Sequence, residues 1–176
     1  CCLANGVTPW MTLYHWELPQ ALEEKDGWQN SETAAAFSRF AAMMAAHFEG
    51  RVSHFITLNE PQIVLKLGYA DGIHAPGKRL SLPELVSCWK NLMLAHGLSF
   101  RAIRKAAPEA LIGIASTGKL CYPHSPADED AARQETFRLT DSDWMFTHAI
   151  VLDAVCLGRD EPEAGALRKL LSEVTP

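Results

Sequence analysis

The sequence predicts an α/β fold built on a parallel sheet. Short, near-continuously apolar stretches alternate with longer segments of helical periodicity. The apolar stretches do not alternate apolar and polar residues, which is the pattern of strands covered on both faces. Strands separated by helices imply crossover connections, and these return each strand to the sheet in the same direction.

The elements follow in order. LANG (residues 3–6) ends a first helix, with Gly6 as its C′ residue. VTPWMTLY (7–14) reads as a buried strand, where Pro9 near the start costs little. After a loop through Asp26-Gly27-Trp28, a helix starts near Asn30 or Ser31. Its Phe37, Phe40, Ala41, Met44 and Phe48 keep helical spacing, and Gly50 ends it. RVSHFITL (51–58) is the second strand, followed by Asn59 and Glu60, with Pro61 stopping it. GYADGIHAPGKR (68–79) reads as a long irregular stretch. Ser81 and Glu84 form a capping box, and Leu85, Trp89, Leu92, His96, Phe100 and Ile103 share one face of the helix it opens. LIGIA (111–115) is the third strand. Ser125, Pro126 and Asp128 open a last helical region, with Pro at its first position, expected to run to about Leu157.

The chain has 176 residues, 48% hydrophobic and 21% charged, enough for one sizeable core. Sixteen basic residues against 21 acidic ones give a formal charge of −5, and no long basic run favours nucleic acid. No apolar run approaches the roughly 20 residues of a membrane helix, and no signal peptide is visible. Cys1, Cys2, Cys88, Cys121 and Cys156 form no C-x-x-C pair and are odd in number. They read as reduced thiols in a cytoplasmic protein rather than as a disulfide framework or zinc site. The histidines show no metal-ligand spacing, so no metal is expected, and His96, on an apolar helix face, reads as a core residue. No phosphate-binding glycine loop and no G-x-S-x-G is present.

In a parallel sheet all strand C-termini lie at one end, where α/β folds place their sites. That end collects His15 and Trp16, Asn59 and Glu60, and Ser116 and Thr117. Glu60 is the sharpest candidate. A carboxylate at such a rim, beside a partly apolar wall, suits general acid work; capping the next helix or pairing with an arginine is the equal alternative. Asn59 offers a donor and an acceptor, or serves as a turn residue. Trp16 offers an indole face and His15 an imidazole, or the two belong to a buried aromatic cluster.

Five stretches carry a resemblance. TLYHWELPQAL (12–22) with the following DGW, ITLNEP (56–61), GIHAPG (72–77), NLMLAHGLSFRAIR (91–104) and IVLDAVCLGRDEPE (150–163) resemble, in order, motifs of family 1 glycoside hydrolases, the β-glucosidase family. N-E-P alone is shared by related barrel families; the five together are far more specific. The resemblance implies an α/β fold that is part of a (β/α)8 TIM barrel, roughly its third to fifth strand–helix units. Residues 1–176 are then one partial catalytic domain, expected to be truncated at both ends. It implies a retaining β-glycosidase acting on β-glycosides or oligosaccharides, without a cofactor. Glu60 matches the general acid/base, Asn59 the residue bonding the sugar 2-hydroxyl, and His15 and Trp16 binding residues of the same subsite. The family nucleophile sits in a downstream T-E-N-G-like motif, and no E-N-G occurs in this sequence. His-Trp and T-L-N-E-P resemble enzymes of unphosphorylated glycosides; the alternative is a 6-phospho-β-glucosidase, which more often shows His-Phe and T-F-N-E. The alternative of another class is a non-catalytic, truncated sugar-binding protein. Departures from the family pattern are Glu17 for Asp, Ala115-Ser116-Thr117 in place of a Leu-Asn ending, Ala154 for Pro and Glu161 for Tyr. The oligomeric state is left open.

Overall fold

The structure is a computed structural model that describes residues 1–140 and 144–158. Its contacts divide the chain into two units. One comprises Cys1–Glu60 and Ser87–Ala115; the other comprises Pro61–Val86 and the described residues from Ser116 onward.

The first unit holds the sheet. Strands β1 (Trp10–Tyr14), β2 (His54–Asn59) and β3 (Leu111–Ala115) are parallel in the order β1-β2-β3. The short helix α1 (Gln20–Glu23) and the long α2 (Ser31–His47) lie between β1 and β2 in sequence. Asn30 caps α2, accepting from the Glu32 amide at 2.9 Å. Ala41 and Ala45 of α2 join Val52, Phe55, Ile103, Ala107 and Ala110 in a buried cluster, against which Met11, Leu13 and Ile112 pack. These contacts hold the helices on that face of the sheet, since fully burying a large apolar side chain such as Phe55 contributes about 1.5–3 kcal/mol. A second knot lies higher on the same strand. Trp28 is 0% exposed and donates Nε1 to Tyr14 Oη at 3.1 Å, while Asn91 Nδ2 donates to the Trp28 carbonyl at 2.9 Å.

The reading of β1 as buried is corrected. Trp10 is 64% exposed and only Tyr14 of the strand is buried. The strand stands at the sheet edge, and it begins at Trp10 rather than at Val7.

The second unit holds a helix that the sequence reading left out. Pro61–Ile63 forms one helical turn, α3, which widens into a π-helix over Val64–Ala70. Asp71 donates its amide to the Lys66 carbonyl at 2.8 Å, and the Lys66 ammonium reaches both Asp71 carboxylate oxygens at 2.7 Å. The irregular stretch therefore begins only after Ala70. It is held back on the π-helix by Ile73 and His74 amides to Leu67 O (2.8 and 2.9 Å) and the Lys78 amide to Gly68 O (3.1 Å). Gly68 is required there, because a Cβ would stand 2.7 Å from Ala75 O.

Helix α4 (Leu82–Ala106) opens with Glu84 accepting from the Ser81 amide at 2.8 Å. His96, 7% exposed, meets Thr57 Oγ1 at 2.7 Å, and that hydroxyl donates to Gly113 O at 3.3 Å. His96 is thus a bonded core histidine, and burial pushes it below the ordinary 6.5. At the expected helix start Ser125 and Asp128 form a capping box, ahead of α5 (Glu129–Thr136). The expectation of one helical region to about Leu157 is corrected: α5 stops at Thr136, and α6 (Ala149–Leu157) is separate. The Thr136 hydroxyl is drawn to the chain before α5, accepting from the Cys121 amide at 2.9 Å, which fixes that helix end locally. Glu161 lies outside the described residues.

Candidate active site

Parallel register sets the site. Trp10 faces His54 and Tyr14 faces Leu58, so β1 and β2 finish at the same end. His15 and Trp16 leave β1 there, and Asn59 and Glu60 end β2. The structure brings the first three into contact. Asn59 Nδ2 donates to His15 Nε2 at 3.3 Å. The Trp16 indole donates Nε1 to the Asn59 carbonyl at 3.0 Å. The His15 and Trp16 rings meet edge to face at 5.3 Å. His15 is exposed and Trp16, Asn59 and Glu60 are half-buried, so this is a rim and not the interior of an aromatic core.

Two of these residues carry left-handed backbone, Trp16 at φ 84° and Glu60 at φ 47°. Neither is glycine, and each conformation costs about 1–3 kcal/mol that the surroundings must hold. Glu60 is doubly constrained, since a residue before proline is also steered toward extended backbone. Its amide donates to the Ala115 carbonyl at 2.8 Å, which links the ends of β2 and β3. The pairing of β2 with β3 shifts register between Ile56 and Asn59, where the chain prepares this turn. Among the described residues the Glu60 carboxylate makes no ion pair and no hydrogen bond. Neither the capping nor the arginine pairing weighed from sequence is found there.

Tyr14 precedes the site and is no acid at neutral pH. Burial pushes its phenol up to about 12, the Glu23 and Glu17 carboxylates adding to the rise against the lowering Trp28 hydrogen bond. It anchors the strand end. Ser116 and Thr117, expected from sequence at the same strand ends, fall in the second unit, where they bond Gln62. Gln62 was not singled out from sequence; an amide following Asn-Glu-Pro at the mouth of a helix was the available signal.

A hollow of about 370 Å³ lies at the other end of the strands, lined by Thr8, Pro9, Arg51, Ser53 and Glu109 among others. Among the described residues no group of three or more His, Cys, Asp or Glu is placed to hold a metal ion, and no helix is long and apolar enough to cross a membrane.

One exposed imidazole bonded to the Asn59 side chain, one indole bonded to the Asn59 backbone carbonyl, and one carboxyl without a hydrogen bond or ion pair among the described residues stand at this rim. The profile of Glycosyl hydrolase family 1 matches residues 1–165. The chain belongs to this family. Among its relatives in glycosyl hydrolase family 1, β-glucosidase A of Acetivibrio thermocellus is 36% identical over 167 residues, covering 95% of this chain and 36% of the relative. The psychrophilic β-glucosidase BglU of Micrococcus antarcticus superimposes with a TM-score of 0.74 at 37% identity, over 98% of this chain and 34% of that one. The β-glucosidase of Thermotoga maritima in complex with deoxynojirimycin does so with a TM-score of 0.66 at 37% identity, over 77% of this chain and 31% of that one. The chain thus spans about a third of the length of the relatives it matches.

Proposed function

We propose that this chain carries the general acid/base half of a retaining β-glycosidase site, within a (β/α)8 barrel of which residues 1–176 form roughly the third to fifth strand–helix units. The observation that carries the reading is the position of Glu60. Its half-buried carboxyl follows Asn59 at the strand end and has no hydrogen bond or ion pair among the described residues.

In the first step the Glu60 carboxylic acid gives its proton to the glycosidic oxygen as the bond from that oxygen to the anomeric carbon breaks. A second carboxylate, outside these residues and about 5–5.5 Å away, attacks the anomeric carbon and forms the glycosyl ester. In the second step the Glu60 carboxylate takes a proton from water as the water oxygen displaces the ester. Asn59 holds the 2-hydroxyl, and His15 and Trp16 hold the same sugar. No step calls for a cofactor. The β-glucosidase relatives, one of them in complex with deoxynojirimycin, support a β-glucoside substrate. His15-Trp16 and T-L-N-E-P favour an unphosphorylated sugar over a 6-phosphoglycoside. The unpaired cysteine pattern supports a reducing, cytoplasmic location.

The test is hydrolysis of an aryl β-glucoside by the product of the complete reading frame, with Glu60→Ala alongside. The reading expects turnover by the parent, a deep loss in the variant, and none from residues 1–176 alone. A parent that binds β-glucosides without cleaving them establishes the non-catalytic alternative.

A further inference from the structure

We infer that Gln62 is a positioning residue for Glu60, which rests on the reading of Glu60 as the acid/base. Gln62 is 0% exposed. A primary amide is buried at a cost unless its bonds are made, and here both ends are used. Gln62 Nε2 donates to Ser116 Oγ at 2.7 Å and to the Thr147 carbonyl at 3.3 Å, and Oε1 accepts from the Thr117 amide at 3.4 Å. Ser116 Oγ also shares a hydrogen bond with His148 Nδ1 at 3.2 Å. The backbone approaches closely at the same place: a Cβ on Gly118 would lie 2.9 Å from the His148 nitrogen.

Burial alone does not call for glutamine; leucine would fill the same space. What the amide adds is a fixed attachment to Ser116 and Thr117, the two residues that follow Ala115 in the chain. Ala115 is the residue whose carbonyl accepts the Glu60 amide at 2.8 Å. Only Pro61, itself buried and locked in φ, stands between Glu60 and Gln62. The left-handed turn at Glu60 is thus fixed on its N-terminal side by Ala115. On its C-terminal side it is fixed by a side chain bonded to the next two residues of the same strand end. A strained conformation persists only when it is held in this way. Releasing Gln62 frees the C-terminal side, and the Glu60 carboxyl then samples orientations away from the leaving oxygen.

The test uses the product of the complete reading frame with Gln62→Leu, Ser116→Ala and the double variant. Two quantities are read: hydrogen exchange at the Glu60 amide, and kcat/KM for an alkyl and a dinitrophenyl β-glucoside. Gln62→Leu is expected to speed exchange at Glu60. It should lower the alkyl rate on the order of tenfold while holding the dinitrophenyl rate within about twofold, because only the alkyl leaving group needs a placed proton. Ser116→Ala should move both readouts the same way by less, and the double variant should add little to Gln62→Leu, as coupled residues do. A packing role alone predicts equal loss for both substrates and unchanged exchange at Glu60, and that result overturns the inference. If Gln62→Leu does not fold, Ser116→Ala decides by the same criteria. Should Glu60→Gln itself show no leaving-group dependence, the acid/base reading fails, while exchange at Glu60 still reports whether Gln62 braces it.

Discussion

Asn59 and His15, 44 positions apart in sequence, share a hydrogen bond in which the Asn59 amide donates to His15 Nε2 at 3.3 Å. The bond joins the ends of two neighbouring strands. It uses one of the two Asn59 Nδ2 hydrogens and leaves Asn59 Oδ1 without a hydrogen bond among the described residues.

Asn59→Ala removes the acceptor proposed for the 2-hydroxyl. A contact of this kind that strengthens in the transition state is worth about 2.7–4 kcal/mol, so kcat/KM falls on the order of 10²–10³-fold. With a 2-deoxyglucoside the same substitution costs little, since the partner is already gone. Steady-state kinetics on the two substrates check this, and an equal loss on both shows that Asn59 serves only the fold.

Trp28→Ala empties a fully buried site and takes the donor from Tyr14 Oη. The expected loss of stability is about 3–5 kcal/mol, seen as a lower urea midpoint. A midpoint close to that of the parent would mean that the knot beneath the rim contributes little.

His96 gives a pH dependence of known sign. Burial lowers its pKa below 6.5, so the folded state favours the neutral ring. Its contribution to stability is full above the unfolded value and is lost as pH falls through the folded one, with a slope of at most about 1.4 kcal/mol per pH unit. Urea unfolding at pH 7.5 and 5.5 is therefore expected to show a smaller acid loss in His96→Gln than in the parent. An equal loss assigns the acid sensitivity to other groups.

Much of this was legible in the sequence where a local pattern and a burial demand agreed. The spacing of Leu85, Trp89, Leu92, His96, Phe100 and Ile103 marked one face of α4; all are buried except Phe100, which is exposed. Asn30 and the Ser125–Asp128 box marked helix starts by the chemistry of the orphan amides they satisfy. The rim was legible because parallel strands end together, which put His15, Trp16, Asn59 and Glu60 at one end. The backbone at Glu60 was not, since a left-handed residue before proline contradicts local preference and exists only because Ala115 and its neighbours hold it. The π-helix at Val64–Ala70 was hidden for a related reason. Pro61 reads as a stop, yet it also suits a first helical position, and the wide turn is closed by Lys66 and Asp71 five residues apart. The last helix was drawn too long because one helical region was read through to about Leu157, whereas α5 ends at Thr136 and α6 begins at Ala149.

The central claim is that Glu60 gives and takes the proton, and leaving-group dependence tests it most directly. In the product of the complete reading frame, Glu60→Gln keeps the shape of the site without a proton to give. Alkyl β-glucosides are expected to lose on the order of 10²–10⁴-fold in rate. Dinitrophenyl β-glucoside, whose leaving group departs unaided, should keep its first step and then stall as the glycosyl-enzyme. In Glu60→Ala, azide needs no general base, so it should restore turnover and yield a β-glycosyl azide. A rate loss that is the same for good and poor leaving groups, with no rescue by azide, would contradict the assignment of Glu60.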